Sequence, residues 1–418
     1  MSMQQEDAVG LVCSILNPVS DKAALVETLG QLSAEDWRML HEVAFKHGLH
    51  LLLYHRLKEA GLLMVMPESC REYLREHFLA VTARNMKILH HAGKILQVLR
   101  NHGVEVIVLK GLYLVENIYP SIGLRVFGDV DLLLRRADVD GGLELLRSLG
   151  YQLSTWYDPQ DPNRDIKHLP PLIKEDAPMV ELHWNILEED APFDIRIDDL
   201  WSRAQPVKVA GVDVLAPGIE DLILHLAIHA SYQHGFRGGI RPLYDIAAVL
   251  QKWQGQVQWD QLALTAREWG TERVLWLTLS LVTEVTGAEV PTDFLRGLVA
   301  EAVDPCIIQD ARELLFASEG AATLTPDLAA LQRLRNPVAK VRLVLSRIFL
   351  PRRLMAMQYN VDPRSLKVYG YYAVRLRDLL RLHGRSGWGM LRGDEAVLAG
   401  VDREETNGRL GEWMERGK

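Results

Sequence analysis

Apolar positions fall into three regimes along the chain. From the start to about residue 103 they recur at helical spacing. Ser33 stands as a candidate N-cap before "AEDWRMLHEVAFK", and the stretch 66–103 predicts one or two long helices ended by Gly103. From about 104 to 217 the periods shorten. "VEVIVLKG" (104–111) is β-branched and bounded by Gly103 and Gly111, so it predicts a strand. "LYLVENIY" returns to helical spacing, "PSIG" breaks it, and "RVFGDVDLLLRR" (125–136) predicts a second strand. A short helix over "DVDGGLELLRSLGY" stops at Gly150, and the Pro-rich "YDPQDPNRDIKHLPP" predicts a mobile loop. "APMVELHWNI" (177–186) predicts a third strand, and "WSRAQPVKVAGVDVLAPG" a hairpin turning at Ala210-Gly211. After Pro217 the pattern is helical again. Pro242 fits a first helical turn, and helix is expected to about Arg385, followed by a Gly-rich polar tail that frays.

Four parts follow: an N-terminal helical domain (1–103), an α/β or α+β core (104–217), a C-terminal helical domain (218–330), and a basic helical extension with a frayed tail (331–418). The apolar share of 48% and charged share of 24% are those of an ordinary folded chain. A net charge of −8 argues against binding polyanions over the whole surface. Neither a signal peptide nor a membrane span is predicted, so bacterial or archaeal cytoplasm is the expected location. Cys13, Cys70 and Cys306 lack zinc-ligand spacing, and their odd number argues against a disulfide framework. The charge is uneven. Between Lys340 and Arg392 there are twelve basic residues and two acidic ones, with Tyr359, Tyr369, Tyr371 and Tyr372 interleaved. That segment predicts packing on the acidic remainder of the protein, or contact with RNA, another polyanion or an anionic membrane.

The chemistry centres on Asp129 and Asp131. In a strand, residues i and i+2 share a face, which sets the two carboxylates side by side at about 6–7 Å between Cα atoms. They repel unless a cation lies between them, and oxygen ligands favour Mg²⁺ or Mn²⁺. The bland alternative is a strand end paired with Arg125 or Arg135. On the third strand Glu181 and His183 share a face. If that strand lies beside the aspartates, Glu181 completes a three-carboxylate group, the apparatus of phosphoryl and nucleotidyl transfer. Gly111 at a strand-to-helix turn would let backbone amides approach a phosphate, with Lys110 and Arg125 adding positive charge. "HLAIH" sets His225 and His229 at i and i+4, near His234, and invites a zinc reading. Leu226 occupies the place of the metalloprotease Glu, and ordinary helix histidines are the simpler account. His183, His229, Arg241, Tyr244 and Asp245 are candidates for the acceptor side of a cleft between the core and the later helices.

A strand ending in Gly, a helix, a strand with Asp-x-Asp and a later strand with a third acid resemble the nucleotidyltransferase superfamily of the DNA polymerase β type. The fuller pattern "LKG…YP…R…GDVDLLL…LGY…VELHW…HL…H…LYDI" resembles an uncharacterised bacterial nucleotidyltransferase-like family, at its core over about 104–190 and with its helical flanks over about 30–300. The resemblance implies an α+β fold: a nucleotidyltransferase-type mixed β-sheet core flanked by N-terminal and C-terminal helical domains. It implies transfer of a nucleoside monophosphate from an NTP to a hydroxyl of a small molecule, a protein or an RNA end, with release of pyrophosphate. By the same resemblance Asp129 and Asp131 bind Mg²⁺ or Mn²⁺, Glu181 is the third acid that helps activate the hydroxyl, and Gly111 is the phosphate-approach glycine. Two features depart from it. Leu112 stands where the superfamily usually has Gly or Ser, and the segment from there to Asp129 is longer than usual. They motivate a rival reading, a nucleotide-binding or scaffold protein with weak or lost catalysis.

Overall fold

The computed structural model describes residues 3–416 apart from 18–19, 156–166, 317–337, 339–341, 343–344, 347, 360, 363 and 393–394. Most of the predicted mobile loop, and Lys340 and Arg347 of the basic segment, lie outside the described residues. The fold is α+β. Seven strands form one sheet: β1 Ile107–Val108, β2 Asp129–Leu133, β3 Gln152–Leu153, β4 Leu172–Ile173, β5 Met179–His183, β6 Gln205–Val209 and β7 Val212–Ala216. Their order is β3-β4-β5-β2-β1-β7-β6. β2 runs parallel to β5 and β1 parallel to β7, while the other pairs are antiparallel, so the sheet is mixed. The three predicted strands and the hairpin are all present. β3 and β4 are additions of two residues each, too short to show a period in sequence.

Three local features position β2. Val130, Leu132, Leu133 and Leu134 are all fully buried, as in a central strand covered on both faces. The helix Val139–Ser148 lies so close that a Cβ on Gly142 would come within 2.7 Å of Leu134 Cδ2. The 34-residue helix Glu68–Asn101 buries Leu74, Val81, Asn85, Ile88, Ala92, Ile95 and Leu99, a stripe at steps of three, four and seven. Asn85 on that stripe donates to the carbonyls of Ile122 (2.6 Å) and Arg125 (2.8 Å) and so holds the loop that feeds β2. Gly103, at φ +75, ends the stretch where the sequence predicts it. In the hairpin, Ala210 (φ +49) and Gly211 (φ +79) are both left-handed, as a type I′ turn requires, and Glu116 accepts from the Ala210 amide.

Ser33 caps the helix Ala34–Lys46 in a capping box with Asp36. Pro242 lies in the first turn of Arg241–Lys252. The tail expected to fray is instead the helix Glu395–Glu415. Its Val401, Leu410, Trp413 and Met414 are buried, Trp413 meets Trp276, and Arg409 grips Asp310 through two hydrogen bonds. Leu410, Trp413 and Met414 share one face and join the main core. One continuous hydrophobic core takes in residues from Ala8 to Met414.

The N-terminal helices carry an acid-sensitive feature. His41, Phe45, His50, Tyr73 and His77 form a ring cluster, with His50 and His77 stacked at 4.8 Å. Burial pushes His50 and the neighbouring His47 down to about 4. An unfolded histidine titrates near 6.5, so between these values the unfolded chain binds more protons and stability falls as the pH is lowered. Lowering the pH from 7 to 5 is expected to cost about 2 kcal/mol for each of the two. Urea unfolding at both pH values checks this, and a His47→Gln, His50→Gln double variant should lose only the share these two supply, about 4 kcal/mol.

Candidate functional site

The site grows from the register of two parallel strands. β2 and β5 align so that Asp131 pairs with Glu181 and Leu133 with His183, while Asp129 pairs with Met179. Asp131, Glu181 and His183 therefore project from one face at adjacent levels. His183 Nε2 lies 3.0 Å from Asp131 Oδ1 and 3.1 Å from Glu181 Oε2, so one N–H donates to both carboxylates. Its Nδ1 is buried without a hydrogen-bond partner among the described residues. Lys110 Nζ approaches the same Asp131 oxygen at 3.3 Å. The Lys110 backbone is left-handed, at φ +43, where β1 passes into the helix Lys110–Asn117. Such strain persists only where the surroundings fix it, here by turning the ammonium onto the buried aspartate.

Charge at the site is finely divided. Burial alone would raise the Asp131 carboxyl, but the His183 hydrogen bond and the Lys110 charge outweigh it and hold Asp131 well below the usual carboxylate range. Glu181 is lowered, first by the His183 hydrogen bond. Asp129 goes the other way, raised by burial and then by the Asp131 charge beside it. His168, which sequence reasoning missed in the Pro-rich stretch, meets His183 in a tilted ring contact at 4.8 Å and bridges to it through the backbone. It carried no period to find it by. His225 and His229 are held neutral, chiefly by burial and next by Lys110, with His229 pushed down to about 3. Both ring nitrogens of His225 lack a partner among the described residues. His229 begins a π-helical turn, His229–Gln233, and its Nδ1 is bonded to Gln233.

Several expected placements need correction. Among the described residues, the donors that close within 4.8 Å of one another are Asp131, Glu181 and His183. Asp129 is not among them, because it stands one strand repeat nearer the rim, opposite Met179. His183 joins the acidic cluster. Neither His225, His229 nor His234 belongs to that donor group, so the zinc reading finds no support there. Arg125 is not free for phosphate: it is buried, and its Nε and Nη2 donate to Asp245 at 2.8 and 2.9 Å. Asp245 also accepts from the Tyr119 hydroxyl and is itself buried. Tyr244 points toward the Cys13 thiol, and Arg241 donates to the Val126 carbonyl at 2.7 Å. Gly111 is buried, and a Cβ there would meet Arg125 Nη1 at 2.9 Å and Phe127 Cβ at 3.0 Å. Its small size lets the helix close onto the Arg125 loop.

The donor set fits one divalent ion: two carboxylates, one imidazole, and a spare Nδ1 able to carry the proton that Nε2 would give up on binding. A mixed sheet with Asp-x-Asp and Glu-x-His on neighbouring parallel strands, next to a Lys-Gly helix start, is a nucleotidyltransferase-type core. The chain belongs to the uncharacterised nucleotidyltransferase family, whose model matches residues 33–287, more than half of its length. No curated protein and no solved structure matches it.

Proposed function

We propose that the protein is a metal-dependent nucleotidyltransferase that moves a nucleoside monophosphate from an NTP to a hydroxyl acceptor and releases pyrophosphate. The observation that carries this reading is the register-matched Asp131–Glu181 pair, tied by His183 and faced by Lys110. Asp131 and Glu181 with His183 would hold Mg²⁺ or Mn²⁺, and Asp129 would reach the ion from the rim. When bound, the ion lowers the pKa of the attacking hydroxyl and neutralises the phosphate charge. Glu181, half-buried and ionised, accepts the acceptor's proton or orients the hydroxyl. Lys110 turns from Asp131 to the triphosphate. The acceptor, a small molecule, a protein or an RNA end, lies on the side of His229. A cytoplasmic, bacterial setting accords with this reading, and among the described residues no helix is long and apolar enough to cross a membrane.

A second reading, nucleotide binding without efficient transfer, is favoured by one observation. Gly111 and Leu112 are both buried in the packing of their helix, which leaves fewer backbone amides open to a phosphate. Incubation with α-labelled and γ-labelled NTPs and Mg²⁺ or Mn²⁺ separates the two. Transfer leaves the α label on an acceptor and the γ label in pyrophosphate. Binding alone yields calorimetric heat and neither product. If the protein and an Asp129→Asn, Asp131→Asn double variant both fail to bind any NTP, the enzyme reading is lost.

A further inference from the structure

C-terminal to the family-matched residues, the protein presents an unusual surface. Leu345, Phe349, Leu354, Leu366, Tyr369 and Leu376 are exposed within 32 residues, Leu366 at 80% and Phe349 at 60%. On the helix Lys367–Arg392, Tyr369, Ala373 and Leu376 face outward at steps of four and three, and Leu366 extends the stripe by three more. Beside the stripe Lys367, Arg377 and Arg381 are also exposed. The inward face is accounted for: Val368 packs with Met355 and Ala356 in a small cluster separate from the main core. The outward face is therefore half apolar and half basic, in a segment with twelve basic residues to two acidic. A soluble protein rarely keeps large apolar side chains in water as a patch without a partner for them.

The chemistry of the patch chooses among partners. Nucleic acid would use the arginines and Tyr369, but it offers nothing to Leu366, Leu376 or Phe349. A second copy meeting the same face would set Arg377 and Arg381 against like charges. An anionic lipid surface satisfies both halves, with phosphates at the level of the basic side chains and the acyl boundary beneath the apolar ones. We propose that this face docks on an anionic lipid surface and lies in its plane. No described helix is long and apolar enough to cross a membrane. The proposal does not depend on the nucleotidyl-transfer reading.

Flotation of the full-length protein with vesicles tests it. One set is phosphatidylcholine alone, and the other contains about 30% phosphatidylglycerol, each at about 0.1 M and 0.5 M salt. The protein is expected to float with the anionic vesicles only, and less at high salt. Leu366→Asp with Leu376→Asp should lower the bound fraction by about tenfold or more, as should Arg377→Glu with Arg381→Glu. All four positions are exposed, so thermal melts should stay unchanged. Flotation with neither set, or equally with both, overturns the proposal. So does binding to a single-stranded RNA oligonucleotide that the leucine variants keep. Self-association that the leucine variants abolish would assign the face to a second copy and equally overturn it.

Discussion

The Asp131→Asn protein is expected to lose nucleotidyl transfer by about 10³-fold or more. Asp131 is 2% exposed, and the ammonium of Lys110 and the imidazole of His183 both converge on its Oδ1. Asparagine keeps the shape but removes the charge that both partners face. A buried pair deprived of one charge costs about 3 kcal/mol or more, so thermal stability should fall together with activity. Asp129→Asn is the contrasting variant. Asp129 is held above its ordinary value by burial and by Asp131, so neutralising it relieves repulsion and should leave stability unchanged or slightly higher. Its activity should still drop. Turnover and urea unfolding measured on both variants separate the two roles, and an Asp131→Asn protein within tenfold of normal turnover would remove Asp131 from the chemistry. Asp131 contributes its share of stability at any pH above the ordinary carboxylate range and loses it only as the pH falls below about 4. Loss of stability between pH 7 and 5 therefore belongs to the buried histidines.

Asp245→Ala is expected to be the most destabilising single change, at about 3–5 kcal/mol, with a fall in Tm of about 5–10 °C. Asp245 accepts two hydrogen bonds from Arg125 and one from Tyr119, all buried, across a sequence gap of 120 residues to Arg125. Removing it strands a guanidinium with no water to turn to. Arg125→Ala should cost a similar amount, and the double variant should be no worse than either. That is a coupling of about 2 kcal/mol or more in a double-mutant cycle. Additive losses would show that the pair does not act as a unit. Because Arg125 also backs Gly111, activity should suffer in each single variant through the position of Lys110.

Much of this was legible in the chain, for physical reasons that also mark where reading stopped. Apolar runs bounded by turn residues found β2 and β5, each five residues long. Gly103, Gly150 and Ala210-Gly211 were readable as stops because left-handed backbone has few tenants. The Asp131–Glu181 level was conditional on β2 and β5 being neighbours, which the sheet order provides. Sequence spacing grouped Asp129 with Asp131 and Glu181 and set His183 on the Glu181 face. Register adds that Asp131 stands opposite Glu181 and Asp129 opposite Met179, which no single strand contains. Arg125 shows the other limit. A basic residue before an Asp-x-Asp strand looks like a phosphate ligand until a distant helix supplies Asp245 as its partner.

Lys110 has a consequence for how the protein lives with metal supply. Its ammonium, with the His183 imidazole, satisfies Asp131 from within the polypeptide. The fold carries its own counter-ion and keeps the shape of its acidic cluster without borrowing one from solution. On the proposed function, scarcity of divalent ions would act on turnover and leave the amount of folded protein untouched, and loading the site would exchange one cation for another.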